Sequence, residues 1–109
     1  MCIRDRNPTC CEWAGLSAQE DIDAVSINAL ARGETDEHRD VCLSTVRDFR
    51  ALRSKDHLFV QHAAGGQTEF YDMKADPHAL NNLASEDPKR MREWRNKLQQ
   101  RALSGQWRR

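Results

Sequence analysis

The sequence lacks the long hydrophobic runs that membrane-spanning and exported segments require. No apolar stretch approaches the roughly 18–20 residues of a transmembrane helix. Residues 1–6 lead into polar residues and not into an apolar core, so no secretory signal peptide is visible. Gly-X-Y repeats, heptad repeats and low-complexity tracts are also missing. These absences predict a soluble chain with no membrane partner.

Strongly hydrophobic residues are scarce as well. Leu, Ile, Val and Phe number 19 of 109 residues, just under the fifth of the chain below which independent folding becomes doubtful. Mean hydropathy is −0.85. Disorder would also need a high net charge, whereas 17 basic residues balance 17 acidic ones. The composition therefore predicts one small, core-poor unit or a piece of a larger protein.

The zero net charge hides a sorting of charges along the chain. Residues 1–40 carry 9 acidic and 4 basic groups, whereas residues 89–109 carry 1 and 8. A basic tail of this kind suggests phosphate contacts, but no second basic surface completes a nucleic-acid footprint. We therefore predict no nucleic-acid partner.

Standard catalytic and metal-binding motifs are missing too. The cysteines form no Cys-x-x-Cys pair and are predicted to be ordinary thiols. One zinc set can be drawn from Cys10, Cys11, His38 and Cys42. Its spacing matches no usual ligand pattern. Gly-x-Ser-x-Gly elbows and phosphate-binding glycine loops do not occur, so the residues alone assign no catalytic or metal site.

Residues 1–6 fit poorly with the rest of the chain. They show no periodicity and resemble a translated sequencing adapter, so we set them aside as a non-native leader or assembly artefact. A helix is predicted over residues 7–15, with Asn7 as its cap and Gly15 just past its end.

A second helical turn is predicted before the middle of the chain. Ser26 is its predicted cap, Ile27 and Leu30 are its anchors, and Gly33 ends it. Four segments then have strand character: residues 41–46, 49–53, 57–62 and 69–72. Two glycines within residues 63–67 predict a hairpin turn between the last two.

The last predicted element is a helix that begins near Pro88, with Ser85 or Asp87 as its cap. Four apolar residues recur along it at helical spacing: Met91, Trp94, Leu98 and Ala102. The fold class that follows is α+β. It consists of short N-terminal helices, a three- to four-stranded antiparallel sheet and a C-terminal helix packed on one sheet face.

Residues 69–84 closely resemble the C-terminal signature of the sulfatase family, E-L-Y-D-L-x-x-D-P-x-E-x-x-N-L-A. The matching positions are Glu69, Tyr71, Asp72, Asp76, Pro77, Asn82, Leu83 and Ala84. Three upstream blocks resemble the family in the same order: residues 8–15, 26–34 and 46–60. Ala29 and Ala79 depart from the usual proline and glutamate. His57 and Leu58 stand near the usual tyrosine-lysine, with Lys55 as the nearest basic substitute.

The resemblance implies a fold like that of alkaline phosphatase, of which this chain is the C-terminal piece. Residues 7–40 would end the large N-terminal domain, and residues 41–109 would form the C-terminal subdomain. The implied chemistry is sulfate-ester hydrolysis, in which a formylglycine acts beside a bound calcium. No C/S-x-P-x-R motif for that formylglycine occurs here. No catalytic or metal residue is therefore carried over, and this piece is expected to be inactive alone.

Three residues are substrate-binding candidates: Arg53, Lys55 and His57. Basic residues at strand ends and loops suit an anionic sulfate, although structural pairing with the nearby Asp48 and Asp56 is the favoured explanation. The expected partners are a sulfate-ester substrate and the missing N-terminal domain. The family implies a periplasmic, secreted or lysosomal enzyme. Two alternatives stay open: a stand-alone interaction module with a basic helix, and a piece of a related phosphoryl-transfer hydrolase.

Overall fold

The structure is a computed structural model that describes residues 3–20, 22, 24–62 and 66–104. The tip of the predicted hairpin, residues 63–65, lies outside the described residues, as does Cys2. The chain divides into two compact units, residues 1–40 and residues 41–109.

The first unit begins with a 3-10 turn over Ile3–Asp5 that leads into helix α1 (Arg6–Trp13). The helix thus starts before the predicted position, and Asn7 is not its cap. Asp5 holds the cap position, but its carboxylate makes no capping hydrogen bond because it bonds elsewhere in the unit. Gly15 follows the helix at a φ of +71°, as predicted for a left-handed residue past a helix end.

Helix α2 (Asn28–Ala31) is a single turn. The predicted cap, Ser26, lies one position too early, and its Oγ instead accepts a hydrogen bond from the Asn28 N–H at 3.2 Å. Leu30 is 41% exposed, so its prediction as an anchor is wrong, whereas Asn28 is buried. Polar contacts rather than apolar packing hold this turn. Gly33 ends it at a φ of +72°, as predicted.

The second unit contains a four-stranded antiparallel sheet. Its strands are β1 (Cys42–Val46), β2 (Phe49–Arg53), β3 (His57–His62) and β4 (Thr68–Asp72). They pair in the order β1-β2-β3-β4, so each strand lies beside its sequence neighbour. Leu52 faces Leu43 across one ladder and Phe59 across the next. The predicted α+β class and the antiparallel sheet are confirmed.

Helix α3 (Pro88–Ser104) covers one face of this sheet. Of the two predicted caps, Asp87 is the one observed, because its Oδ1 accepts the Arg90 N–H at 3.0 Å. The helix contributes Met91, Trp94 and Leu98 to the core, which confirms the predicted stripe up to Ala102, a half-buried residue. The sheet contributes three wholly buried side chains: Leu52, Phe59 and Phe70.

The other face of the sheet carries exposed apolar side chains. Strand alternation places Val46 and Phe49 on the sheet face that points away from Leu52 and α3. Their side chains are 66% and 48% exposed. Trp13 of α1 is 64% exposed as well. The buried apolar residues thus form one layer between α3 and the sheet, while other apolar side chains stay exposed. Within the described residues, no helix is both long and apolar enough to cross a membrane.

Candidate functional site

The three predicted substrate-binding residues surround the turn between β2 and β3, but they do not converge. Arg53 is exposed and shares a face with its ladder partner Leu58, away from α3. Lys55 is exposed in the turn itself. His57 shares a face with Phe59 and points toward α3. The structure thus separates Arg53 from His57 by the thickness of the sheet.

The alternative explanation of these residues, pairing with nearby carboxylates, is not observed. In the part of the chain that the structure describes, neither Arg53 nor Lys55 makes an ion pair with Asp48 or Asp56. The turn is instead held by Ser54, whose Oγ accepts the His57 N–H at 3.0 Å. Arg53 and Lys55 therefore remain available to an anion outside the unit.

His57 is fixed by contacts with α3 and β4. Its ring stacks on Phe70 with centroids 5.4 Å apart and lies 5.9 Å from the ring of Trp94. Its Nε2 is 2.6 Å from Arg90 Nη2. Because a guanidinium has only donors, Nε2 accepts this bond and the other ring nitrogen carries the proton. The imidazole is thereby oriented with its Nε2 facing the Arg90 guanidinium.

Arg90 connects this histidine to the core and to a carboxylate. Its guanidinium carbon lies 5.0 Å from the centroid of Phe70, a cation–π contact. Asp72 is the ladder partner of His57. Backbone N–H donors of Ala75 and Lys74 lower the pKa of Asp72, and the charge of Arg90 adds to the effect. One end of the sheet thus gathers an imidazole, a guanidinium and a carboxylate.

Three side chains of the signature accept hydrogen bonds from backbone groups of β4 and of the loop between β4 and α3. Asp72 Oδ1 accepts the N–H groups of residues 74 and 75, at 3.0 and 3.1 Å. Asp76 Oδ2 accepts those of residues 80 and 81, at 2.7 and 2.8 Å. Asn82 Oδ1 accepts those of residues 70 and 84, both at 3.0 Å. These side chains therefore shape the loop by satisfying its backbone donors.

In the first unit, a separate polar network centres on Asp5, which is 1% exposed. Its Oδ1 is 2.6 Å from Arg39 Nη2 and accepts the Val25 N–H at 3.0 Å, while its Oδ2 lies 2.9 Å from His38 Nε2. Burial raises the pKa of Asp5, but the hydrogen bonds from Arg39, Val25 and His38 outweigh it and hold that pKa well below its usual range. The carboxylate is ionised and fully engaged.

A second set of bonds ties α1 to α2. Thr9 Oγ1 donates to the Asp5 carbonyl at 2.6 Å and accepts the Ile27 N–H at 3.0 Å. The Glu12 carboxylate accepts from Ser26 Oγ and from the amide of Asn28. These two bonds lower the pKa of Glu12. The Pro-Thr block of the family resemblance thus has a structural role here.

Sequence reasoning misses Asp5 and Arg90, the two residues that organise the polar clusters. Asp5 falls within residues 1–6, which are set aside, although a carboxylate just before a Pro-Thr helix start was a visible signal. Arg90 looks like one more basic residue on the polar face of α3. The two residues in its contact with His57 lie 33 positions apart in the sequence, so no local sequence pattern predicts it.

The calcium implied by the resemblance finds no set of ligands in the described residues. No group of three or more His, Cys, Asp or Glu side chains there could hold a metal ion. Cys10, Cys11 and Cys42 are free thiols. The residues present do not fit a metal centre, and no chemical step is derived through one.

The fold recurs within solved structures that are much longer. A 2-O GAG sulfatase gives a TM-score of 0.77 and 24% identity, over 92% of this chain and 24% of its own. A protein in complex with its substrate, D-glucosamine-2-N,6-O-disulfate, gives a TM-score of 0.72 at 23% sequence identity. The match covers 88% of this chain and 22% of that protein. A phosphonate monoester hydrolase of Agrobacterium radiobacter gives a TM-score of 0.68 at 21% sequence identity. The match covers 91% of this chain and 24% of that enzyme.

This chain has the fold of one part of a sulfatase. The resemblance to the sulfatase family is thereby confirmed for the fold. The phosphonate monoester hydrolase has the same fold. No protein-family model matches the sequence, and no curated protein is significantly similar to it. The chain spans about a quarter of the length of the solved structures that it matches (24% for the 2-O GAG sulfatase).

Proposed function

We propose that this chain is the C-terminal portion of a sulfate-ester hydrolase, where it completes the fold and forms one wall of the substrate cleft. The observation that carries the proposal is the loop after β4. Its signature residues Asp72, Asp76 and Asn82 each bind two backbone N–H groups, within a chain whose fold recurs in sulfatases. Sequence signature and three-dimensional role therefore coincide.

The catalytic centre of the proposed enzyme belongs to the preceding domain. The sequence contains no C/S-x-P-x-R motif, so the formylglycine would arise upstream, and the calcium would be held there too. The contribution of this chain is positional. Arg53 and Lys55 present positive charge at the β2–β3 turn, and His57 is held rigidly behind that turn by Arg90. Such a wall suits an anionic sulfate ester.

The upstream reading frame tests this proposal. Sequencing the native DNA upstream of the Asn7 codon should reveal an in-frame C/S-x-P-x-R motif and an aspartate cluster within the preceding few hundred residues. The chain alone should not turn over an aryl sulfate. An open upstream frame with neither feature contradicts the proposal, and so does calcium-dependent hydrolysis by the chain alone.

A second candidate is a related phosphoryl or phosphonate ester hydrolase. It is favoured by the fold shared with a phosphonate monoester hydrolase at a TM-score of 0.68. The two candidates differ in the ester that the complete enzyme hydrolyses fastest. A stand-alone interaction module with a basic helix remains a third alternative, and a periplasmic, secreted or lysosomal location is part of the sulfatase proposal.

A further inference from the structure

A basic groove lies between α3 and one end of the sheet. Two cavities form it, with volumes of about 500 and 220 Å³. Thr68 and Arg95 line the larger cavity, and Gln61 and Gln99 line the smaller one. Thr68 is the ladder partner of Gln61, and Arg95 and Gln99 are one helical turn apart, so the cavities are neighbours along the same flank of α3.

The register of the sheet builds the floor of this groove. Gln61 pairs with Arg50 on one side and with Thr68 on the other. The three residues form a row across β2, β3 and β4, on the face toward α3. On the helix, Arg92 and Arg95 line the larger cavity above this row. Residues distant in sequence thus present guanidinium, amide and hydroxyl groups to one space.

The three arginines of the groove are not used by the fold. Within the described residues, the side chains of Arg50, Arg92 and Arg95 make no hydrogen bond or ion pair, and all three are exposed. By contrast, Arg39 binds a buried carboxylate and Arg90 binds His57. Uncompensated guanidinium groups around a cavity favour a ligand with several negative charges and planar or tetrahedral oxygens.

The remaining lining groups indicate which anion fits. Thr68, Ser85, Gln61 and Gln99 supply neutral donors and acceptors that suit sugar hydroxyls. The described lining residues include no aromatic ring on which a nucleobase would stack. The larger cavity, at about 500 Å³, is by itself on the scale of a small-molecule site.

We propose that this groove binds a sulfated oligosaccharide, with sulfate groups on Arg50, Arg92 and Arg95 and hydroxyls on Thr68, Gln61 and Gln99. The choice of a sulfated sugar rests on the proposed function. The groove itself rests on charge and shape. It would hold part of a polysulfated chain on this subdomain and so favour oligomeric over monomeric sulfate esters.

The test is calorimetric titration of the full chain with a heparin tetrasaccharide, its desulfated counterpart and oligo(U). The proposal predicts binding of the sulfated tetrasaccharide alone. The double variant Arg92→Gln/Arg95→Gln should weaken binding at least tenfold. The matched control Arg47→Gln/Lys89→Gln, which removes the same charge from exposed positions outside the groove, should weaken it less than threefold.

Three results would overturn the groove: no binding of the sulfated tetrasaccharide, equal losses in the two double variants, or equally tight binding of oligo(U). Equal losses would indicate general attraction to the basic helix, and oligo(U) binding would indicate a nucleic-acid surface. The proposed function is tested separately by the upstream reading frame. If the groove does not bind the sulfated tetrasaccharide but a sulfatase motif is found upstream, the groove proposal is wrong and the proposed function stands.

Discussion

Arg90 Nη2 lies 2.6 Å from His57 Nε2, and the same guanidinium lies 5.0 Å from the ring of Phe70. This contact joins the first residue of β3 to the first turn of α3. It therefore fixes the helix on the sheet next to the β2–β3 turn, where Arg53 and Lys55 are exposed. The proposed wall of the cleft depends on this one joint.

Removing Arg90 should loosen the joint. Arg90→Gln loses the charged hydrogen bond to His57 and the cation–π contact with Phe70, and we expect it to lower the free energy of unfolding by about 1–2 kcal/mol. Lys89→Gln changes the same charge one residue earlier on an exposed side chain and should cost less than about 0.5 kcal/mol. Urea unfolding followed by tryptophan fluorescence measures both. Equal costs would show that the contact is not stabilising.

The Asp5 network should make the first unit sensitive to acid. The pKa of Asp5 is lower in the folded chain than its ordinary value of 3.8, so the unfolded chain binds the proton more readily. Its contribution is fully present above about pH 4 and is lost as the pH falls further. The protection factor of the Val25 amide, whose N–H binds Asp5 Oδ1, should fall in that range.

The variant Asp5→Asn should abolish this acid sensitivity. It replaces the charged hydrogen bonds that the buried carboxylate accepts from Arg39 and His38 by neutral ones, which costs about 1.5–3 kcal/mol, and the Val25 amide should lose protection even at pH 7. The control Asp36→Asn, at an exposed position, should leave that amide protected. Unchanged protection of Val25 in Asp5→Asn would show that the carboxylate does not hold the unit together.

Asn82 protects the open edge of β4. Its Oδ1 accepts the Phe70 N–H, and the next residue, Leu83, donates to the Phe70 carbonyl at 2.8 Å. Asn82→Ala removes the acceptor for two backbone N–H groups and should cost about 1–2 kcal/mol. Asn82→Asp keeps the acceptor and should recover most of this loss, and Asn81→Ala serves as the neighbouring control. If the thermal unfolding temperature of Asn82→Asp is no higher than that of Asn82→Ala, the role of the Asn82 side chain as a hydrogen-bond acceptor is contradicted.

Ala79 holds a φ of +53°, a conformation that favours glycine. Ala79→Gly should therefore raise the free energy of unfolding by about 0.5–1 kcal/mol. Ala75→Gly, four residues earlier and outside the left-handed region, should lower it by a similar amount because it adds only unfolded-state entropy. Differential scanning calorimetry distinguishes the two, and shifts of the same sign would contradict the argument.

The strands and α3 are close to what the sequence predicts because their signals are local. Alternation locates β2 and β3 at their observed bounds, and the Asp87-Pro88 cap locates the start of α3. Apolar spacing along the helix identifies its buried side. None of these inferences needs to know which elements meet in space.

The polar clusters could not be predicted in the same way. His57 and Arg90 meet only because α3 packs across β4, and the row from Arg50 to Thr68 exists only in this strand register. Arg53 and His57, neighbours in sequence, end on opposite faces of the sheet because strand side chains alternate. Closeness in the sequence therefore suggests one site for Arg53 and His57, whereas the sheet places them on opposite faces.

The most direct test of the proposed function is hydrolysis by the protein encoded from the extended reading frame. Initial rates would be compared on a 2-O-sulfated disaccharide, on 4-nitrophenyl sulfate and on a phosphonate monoester of 4-nitrophenol. The sulfatase account predicts release of sulfate from at least one sulfate ester, with a kcat/KM above that for the phosphonate. Hydrolysis of the phosphonate alone, or of none of the three, would contradict it.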